Sequence, residues 1–155
     1  MAWPITTIVA VYGAILSTIS IGIHIFTQLI SNRPKVKVKI YIGFVADPLS
    51  GKTPPVLFIS ALNPGQKVVT LSSAGLVLPD KNQLVLPNPY TNVTLPHELL
   101  PGKSCHIWIE TKEIAKVLKA NGFSGKVRLV GFYRDQIDKT YKSKPYRFDV
   151  DYWAK

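Results

Sequence analysis

The sequence is poor in cysteine, because Cys105 is the only one among its 155 residues. A disulfide within the chain is therefore excluded, and a lone thiol is typical of a reducing compartment. Acidic side chains are also few, with 9 Asp and Glu against 19 Lys and Arg, which leaves a formal net charge of +10. This excess of positive charge favours anionic surfaces as partners.

Charge is absent altogether from the first part of the chain, since residues 1–31 contain no Asp, Glu, Lys or Arg. A helix needs about 20 residues to cross the hydrocarbon core of a bilayer, and the 26 residues from Ile5 to Ile30 exceed that length. Trp3 suits the membrane interface and Pro4 suits a first helical turn. No basic segment precedes the apolar run and no small-residue cleavage site follows it, which argues against a cleaved signal peptide. We predict a transmembrane anchor over residues 1–31 and a soluble domain over residues 32–155.

The basic residues that flank this helix predict its orientation. Arg33, Lys35, Lys37 and Lys39 all follow the helix within ten residues, whereas the terminal amine is the sole positive group before it. The positive-inside rule then places the N-terminus outside and the soluble domain in the cytoplasm, with a bacterial inner membrane as the expected location. The same four side chains are expected to contact anionic lipid headgroups.

Small and polar side chains recur at intervals of three or four along one face of the predicted helix. Such a face lets two membrane helices approach closely and hydrogen-bond, so we expect it to dock against another helix, of a partner or of a second copy. His24 and Gln28 would be costly in contact with lipid, although near the cytoplasmic end they are also able to reach the headgroups. The members of this face are Thr6, Ala10, Gly13, Ser17, Ser20, His24 and Gln28.

Apolar and polar residues alternate after Pro34, which is typical of half-buried strands. Turn signals separate about seven short strand candidates: 35–42, 55–63, 67–78, 83–86, 103–110, 126–134 and 140–150. A helix is expected over Thr111 to Ala120, ended by Asn121 and Gly122. The sequence thus predicts one transmembrane helix followed by an all-β antiparallel sandwich with one short inserted helix.

Two segments carry a resemblance to a known class of module. Residues 63–71, which begin Asn63-Pro64-Gly65, and residues 99–104, which read LLPGKS and lead into a strand, resemble turn-and-strand signatures of bacterial immunoglobulin-like or fibronectin III-like modules. The resemblance implies a β-sandwich that binds or spaces other molecules. Such modules are mostly extracellular, so an outward-facing adhesion or sensing module is the alternative to a cytoplasmic domain.

Several local patterns suggest chemistry, but their context does not support it. Residues 46–53 read ADPLSGKT, a relaxed phosphate-binding loop, yet Pro54 and Pro55 follow where a helix would be needed. Cys105 and His106 are neighbours on a predicted strand and therefore point to opposite faces, with Cys105 in the core. Asp135 and Asp138 form a polar hairpin tip with little potential as a calcium site. We expect no enzyme, no cofactor and no metal site.

A second basic tract lies near the end of the chain. Lys142, Lys144 and Arg147 alternate there with aromatic residues, namely Tyr141, Tyr146, Phe148 and Trp153. Nucleic acid uses such tracts, but no recognised binding motif accompanies this one, and a solvated strand face with core aromatics behind it explains the pattern. The leading hypothesis is a non-enzymatic accessory or scaffold subunit of a larger membrane complex, with membrane lipids and other membrane-protein subunits as partners. An anionic-lipid or nucleic-acid binding domain is a further alternative.

Overall fold

The structure is a computed structural model that describes residues 4–31, 33–46, 53–86 and 89–155. The chain forms two compact units, Met1–Arg33 and Pro34–Lys155. The first unit consists of helix α1, Ile5–Ser31, which begins with hydrogen bonds from the Thr7 and Ile8 amides to the Pro4 carbonyl. Its span Ile5–Leu29 has a mean hydropathy of 2.0 and is long and apolar enough to cross a membrane. The predicted apolar helix is therefore confirmed.

The second unit contains two antiparallel sheets. The first sheet has the order β1-β2-β7-β5, made of Lys37–Phe44, Pro55–Leu62, Ser104–Glu110 and Tyr90–Thr91. The second sheet has the order β10-β8-β3-β4, made of Tyr146–Asp149, Lys126–Asp135, Val69–Val77 and Gln83–Val85. Two short strands extend it. Strand β6, His97–Leu99, pairs with β3, and strand β9, Thr140–Lys142, pairs with β8. Two helices complete the unit, α2 over Thr111–Ala120 and α3 over Val150–Trp153.

The core lies between the sheets and is filled by the inward-facing residues of each strand. Leu57, Ile59 and Ala61 alternate along β2 and are fully buried, as expected for a half-buried strand. Tyr133 of β8 joins the two sheets, because its hydroxyl donates a hydrogen bond of 2.9 Å to the carbonyl of Ile59. Burial by both layers gives the predicted sandwich, and the fold class is confirmed.

The number and length of the strands differ from the prediction. Among the described residues there are ten strands rather than about seven, because β5 and β6 are two and three residues long and show no alternation that sequence reasoning could detect. The predicted strand 140–150 is divided into β9 and β10 at residues 143–145 and ends in α3. Pro145 explains the division, since proline has no amide to continue the ladder. Helix α2 has the predicted bounds, and Gly122 ends it with a φ of 83°.

A buried asparagine connects the two segments that carry the immunoglobulin-like resemblance. The Asn63 side chain is fully buried, and its amide nitrogen donates to the carbonyls of Lys67 and Leu99 at 2.6 and 2.8 Å. Its backbone amide donates to the Lys103 carbonyl, and the Gly102 amide donates to the Asn63 carbonyl. The turns at residues 63–67 and 99–103 are therefore one hydrogen-bonded corner of the domain.

Candidate anion-binding groove

A groove of about 670 Å³ runs along the open edge of the first sheet. One wall is β1, the terminal strand of that sheet, and the other wall is the connection from β9 to β10. The groove is lined by residues 36–41 together with Lys142, Lys144, Pro145 and Tyr146. We call this cavity the basic groove.

The alternation of β1 determines which of its side chains are available to the groove. Val38 is buried and Ile40 is half-buried towards the core, whereas Lys37, Lys39 and Tyr41 are exposed. Lysines on a terminal strand also discourage pairing with another sheet, because a buried ammonium would be costly. The exposed face of β1 therefore combines protection of the sheet edge with a row of positive charge.

A buried serine fixes the opposite wall. The Ser143 amide donates to the Gly131 carbonyl at 2.8 Å, and the Gly131 amide donates to the Ser143 hydroxyl at 2.9 Å. That hydroxyl in turn donates to the carbonyl of Lys144 at 2.8 Å. Because the Ser143 side chain points inward, its neighbours Lys142 and Lys144 are exposed at the groove. The close approach of the strands also requires a glycine at position 131, where a Cβ would lie 2.8 Å from Cγ2 of Ile59.

The β8–β9 hairpin leads into the wall of the groove that carries Lys142. The hairpin turn lies where the polar tip of Asp135 and Asp138 was expected, and the Asp135 side chain at its start is buried. Its Oδ1 accepts from the amides of Ile137 and Lys139, and its Oδ2 accepts from the Tyr141 hydroxyl at 3.0 Å. Burial, followed by the contact with Asp135, raises the pKa of Tyr141 to about 12. The carboxylate thus orders the turn, and residues 136–139, Asp138 among them, are exposed.

The electrostatic character of the basic groove is uniform. Four lysines line it, and there is no carboxylate among the described residues that do so. Within the described part of the chain, the one ion pair closer than 4.0 Å joins Lys119 and Asp151, at 3.5 Å, and neither residue lines the groove. Lines of cations with no internal counter-charge attract anions from solution, an attraction that salt weakens.

Only two of the four predicted lipid-contact residues lie in the basic groove. Lys37 and Lys39 line the groove, and Lys35 is exposed just before them. Arg33 is exposed and belongs to the first unit. Sequence reasoning treated the tract around Lys142 and Lys144 as separate, because about 100 residues divide it from β1. The aromatic residues of that tract do not all face the groove, since Tyr141 and Phe148 are buried.

The predicted docking face of α1 is fully available in the structure. All seven of its members, Thr6, Ala10, Gly13, Ser17, Ser20, His24 and Gln28, are exposed. Three of its polar side chains have hydrogen-bond partners on the same helix. The Ser17 hydroxyl donates to the Ala14 carbonyl at 2.9 Å, and Nε2 of Gln28 lies 3.1 Å from Nε2 of His24. Docking by this face stays a prediction.

The outer face of the first sheet carries a row of aromatic rings. Tyr41, Phe58, Trp108 and Tyr90 are directly opposed in neighbouring strands, and their ring centroids lie 5.2, 5.7 and 6.4 Å apart in that order. Opposed aromatic pairs stabilise sheets, so the row supports the position of Tyr41 beside the groove. Gly43 leaves room for it, because a Cβ there would lie 2.9 Å from the Phe58 ring.

The sequence patterns that suggested a catalytic pair, a phosphate-binding loop or a metal site do not form such a site among the described residues. Cys105 is fully buried, and burial raises the pKa of its thiol. His106 lies on the other face of β7, where its backbone amide donates to Oδ1 of Asn92. Most of the loop that resembles a phosphate-binding loop, residues 47–52, lies outside the described residues, and the segment after it is strand β2. Within the described ranges, no three His, Cys, Asp or Glu side chains gather where a metal ion could bind.

Comparison with known proteins adds no assignment to this geometry. No family model matches the chain, and no curated protein sequence shows significant similarity to it.

Proposed function

We propose that this chain is a non-enzymatic accessory or scaffold subunit of a larger membrane complex. Helix α1 anchors it and docks by its small and polar face against another membrane helix. The β domain lies on the cytoplasmic side and contacts anionic protein surface or lipid through the basic groove. The observation that carries the proposal is the basic groove itself, built on the strand that follows the membrane helix.

The length of the connection supports a role close to the membrane. Strand β1 begins six residues after α1 ends. A fully extended chain advances about 3.5 Å per residue, so the start of β1 stays within roughly 20 Å of the end of the helix. Lys37 and Lys39 therefore act within reach of the bilayer surface, where each basic side chain gains about 1 kcal/mol from anionic headgroups.

A matched pair of glycines provides a test of helix docking. Gly13 lies on the predicted face, and Gly22, nine residues further on, lies half a turn away from it at 100° per residue. A Cβ at either position would meet nothing within 4 Å, so a larger side chain does not disturb the helix itself. We expect Gly13→Leu to reduce the recovery of partner subunits roughly tenfold, through loss of close packing, and Gly22→Leu to leave it unchanged.

The measurement is quantitative mass spectrometry of proteins that co-purify with the full chain in mild detergent from its native membrane. A wild-type protein that migrates as a monomer without any co-purifying subunit would refute the proposal. Equal losses in both leucine variants would refute the assigned face while leaving an anchored subunit.

A cysteine introduced at Ile137 tests the orientation of the domain. Ile137 is 77% exposed, whereas the native Cys105 is fully buried and gives little background. We expect Ile137→Cys to resist a membrane-impermeant thiol reagent on intact cells and to react after the cells are opened. Reaction on intact cells would reverse the topology and favour the outward-facing adhesion or sensing module.

The uniform charge of the groove also favours a second function, the binding of anionic lipid. Amide hydrogen exchange of β1 in nanodiscs is the measurement for this function. We expect anionic lipid to protect β1 at low salt, and the protection to disappear at high salt or in the Lys39→Gln, Lys142→Gln double variant. Protection in native membranes but not in anionic nanodiscs would assign the groove to a protein partner instead.

A further inference from the structure

Two arginines face each other across neighbouring strands of the second sheet. The register of β8 and β10 places Arg128 directly opposite Arg147, and both side chains are exposed. Cβ atoms of directly opposed residues lie about 5 Å apart, and like charges at that distance destabilise a sheet. The pair therefore has unfavourable electrostatics in the absence of a counter-charge.

One carboxylate, that of Asp149, lies on the same strand as Arg147. Asp149 shares the exposed face of β10 with Arg147, but its Oδ1 accepts a hydrogen bond of 3.0 Å from the Tyr152 amide and caps α3. Within the described ranges, neither arginine has a carboxylate oxygen closer than 4.0 Å. Among the described residues, the pair therefore has no direct ion-pair partner.

A cavity of about 360 Å³ lies against the pair. Its lining consists of Arg128, Arg147, Lys144 and Pro145, so three positive charges converge on one space. Lys144 and Pro145 also line the basic groove, which makes the two cavities neighbours. The backbone at Lys144 is held by the hydrogen bond from the Ser143 hydroxyl to the Lys144 carbonyl. The third charge is therefore presented from an ordered segment.

Guanidinium groups select the geometry of the ligand as well as its charge. A planar guanidinium matches two oxygens of a phosphate group at once, and two opposed guanidinium groups match a group with three or four free oxygens. A lysine adds a point charge without that geometry. The arrangement therefore fits a phosphate group with two negative charges better than a phosphodiester, which has one charge and two free oxygens.

We propose that Arg128, Arg147 and Lys144 form a binding site for a dianionic phosphate group. The group is either the phosphomonoester of a lipid headgroup or a soluble phosphate. The site shares Lys144 and Pro145 with the basic groove but does not depend on helix docking, and its two arginines lie outside the groove, so substitutions of them test it separately from the function proposed above.

The test is calorimetric titration of the full chain, in neutral detergent micelles, with inorganic phosphate at constant ionic strength. Because charged hydrogen bonds are lost, we expect Arg128→Gln to bind phosphate at least tenfold more weakly. The loss should be smaller in Arg147→Lys, which keeps the positive charge but not the planar pair of N–H donors. Lys116→Gln is the matched control, because it removes an exposed positive charge of helix α2 outside both cavities. The thermal midpoint of Arg128→Gln should not fall, since the substitution relieves repulsion.

Absence of phosphate binding by the wild-type protein overturns the proposal. Equal weakening by Arg128→Gln and Lys116→Gln also overturns it, because it indicates diffuse attraction rather than a site. Repetition in nanodiscs distinguishes the two sources of phosphate. If nanodiscs with phosphatidic acid weaken the binding of inorganic phosphate and nanodiscs with phosphatidylglycerol do not, the site binds a lipid phosphomonoester. If inorganic phosphate binds equally well in both kinds of nanodisc, the site binds a soluble phosphate.

Discussion

Replacement of Asn63 by alanine should destabilise the β domain more than any exposed substitution. The buried amide of Asn63 takes part in three side-chain hydrogen bonds, to the carbonyls of Lys67 and Leu99 at 2.6 and 2.8 Å and from the Gly65 amide at 2.9 Å. Alanine removes all three and leaves their partners to find water at a corner where Asn63 is fully buried. Each bond contributes about 1 kcal/mol net, so the expected loss is roughly 3 kcal/mol.

That loss is a large fraction of the 5 to 15 kcal/mol that is typical of a whole domain. The assay is chemical denaturation of the full chain in detergent, followed by tryptophan fluorescence, which reports on Trp108 and Trp153 in the β domain. Asn82→Ala is the matched control, because Asn82 is exposed and bonds to Asp80 within one turn. Its expected effect is below about 0.5 kcal/mol. Equal effects of the two substitutions would refute the role of Asn63 as the connection between the two turns.

Three further predictions concern stability and reactivity of the domain. The raised pKa of Tyr141, about 12, means that the folded state holds this proton more tightly than the unfolded state. Stability attributable to Tyr141 is therefore complete below about pH 10 and decreases towards pH 12, by on the order of 2 kcal/mol, and Tyr141→Phe should remove that part of the pH dependence in denaturation curves. Cys105, fully buried with a raised pKa, should react with iodoacetamide at the rate of unfolding, and rapid alkylation of the folded protein would contradict its burial. Gly75→Ala should lower stability by about 1 to 3 kcal/mol in the same assay, because a Cβ would lie 2.5 Å from the Leu84 carbonyl oxygen, and an unchanged midpoint would contradict that approach of β3 and β4.

Features with a strong local pattern were predictable from sequence. The alternation of Val36, Val38 and Ile40 predicts β1 and the direction of its lysines, and the apolar spacing within residues 111–120 predicts the position and bounds of α2. The absence of charge before Arg33 predicts α1. In each case the signal lies within one element, where hydrophobic periodicity reflects which side is buried.

Features that depend on register or on distant pairing were not predictable. Nothing local indicates that Lys37 and Lys39 share a cavity with Lys142 and Lys144, since their positions are set by the packing of two sheets. The opposition of Arg128 and Arg147 depends on the register of β8 and β10, and a shift of one residue would place the two side chains on opposite faces. Both parts of the candidate site therefore emerge only in the folded domain.

The charges around the groove are explained only in part by protection of the sheet edge. Lys37 and Lys39 are sufficient to discourage β1 from pairing with the strand of another molecule, because lysines on an edge strand have that effect without further help. Lys142 and Lys144 lie on the opposite wall and protect no edge of the first sheet, and they bring further positive charge towards the same space. Exposed cations repel only weakly in water, so the arrangement is tolerable in solvent and becomes favourable once an anion occupies the groove. The facing wall, rather than the edge strand, is thus the stronger argument for an anionic ligand.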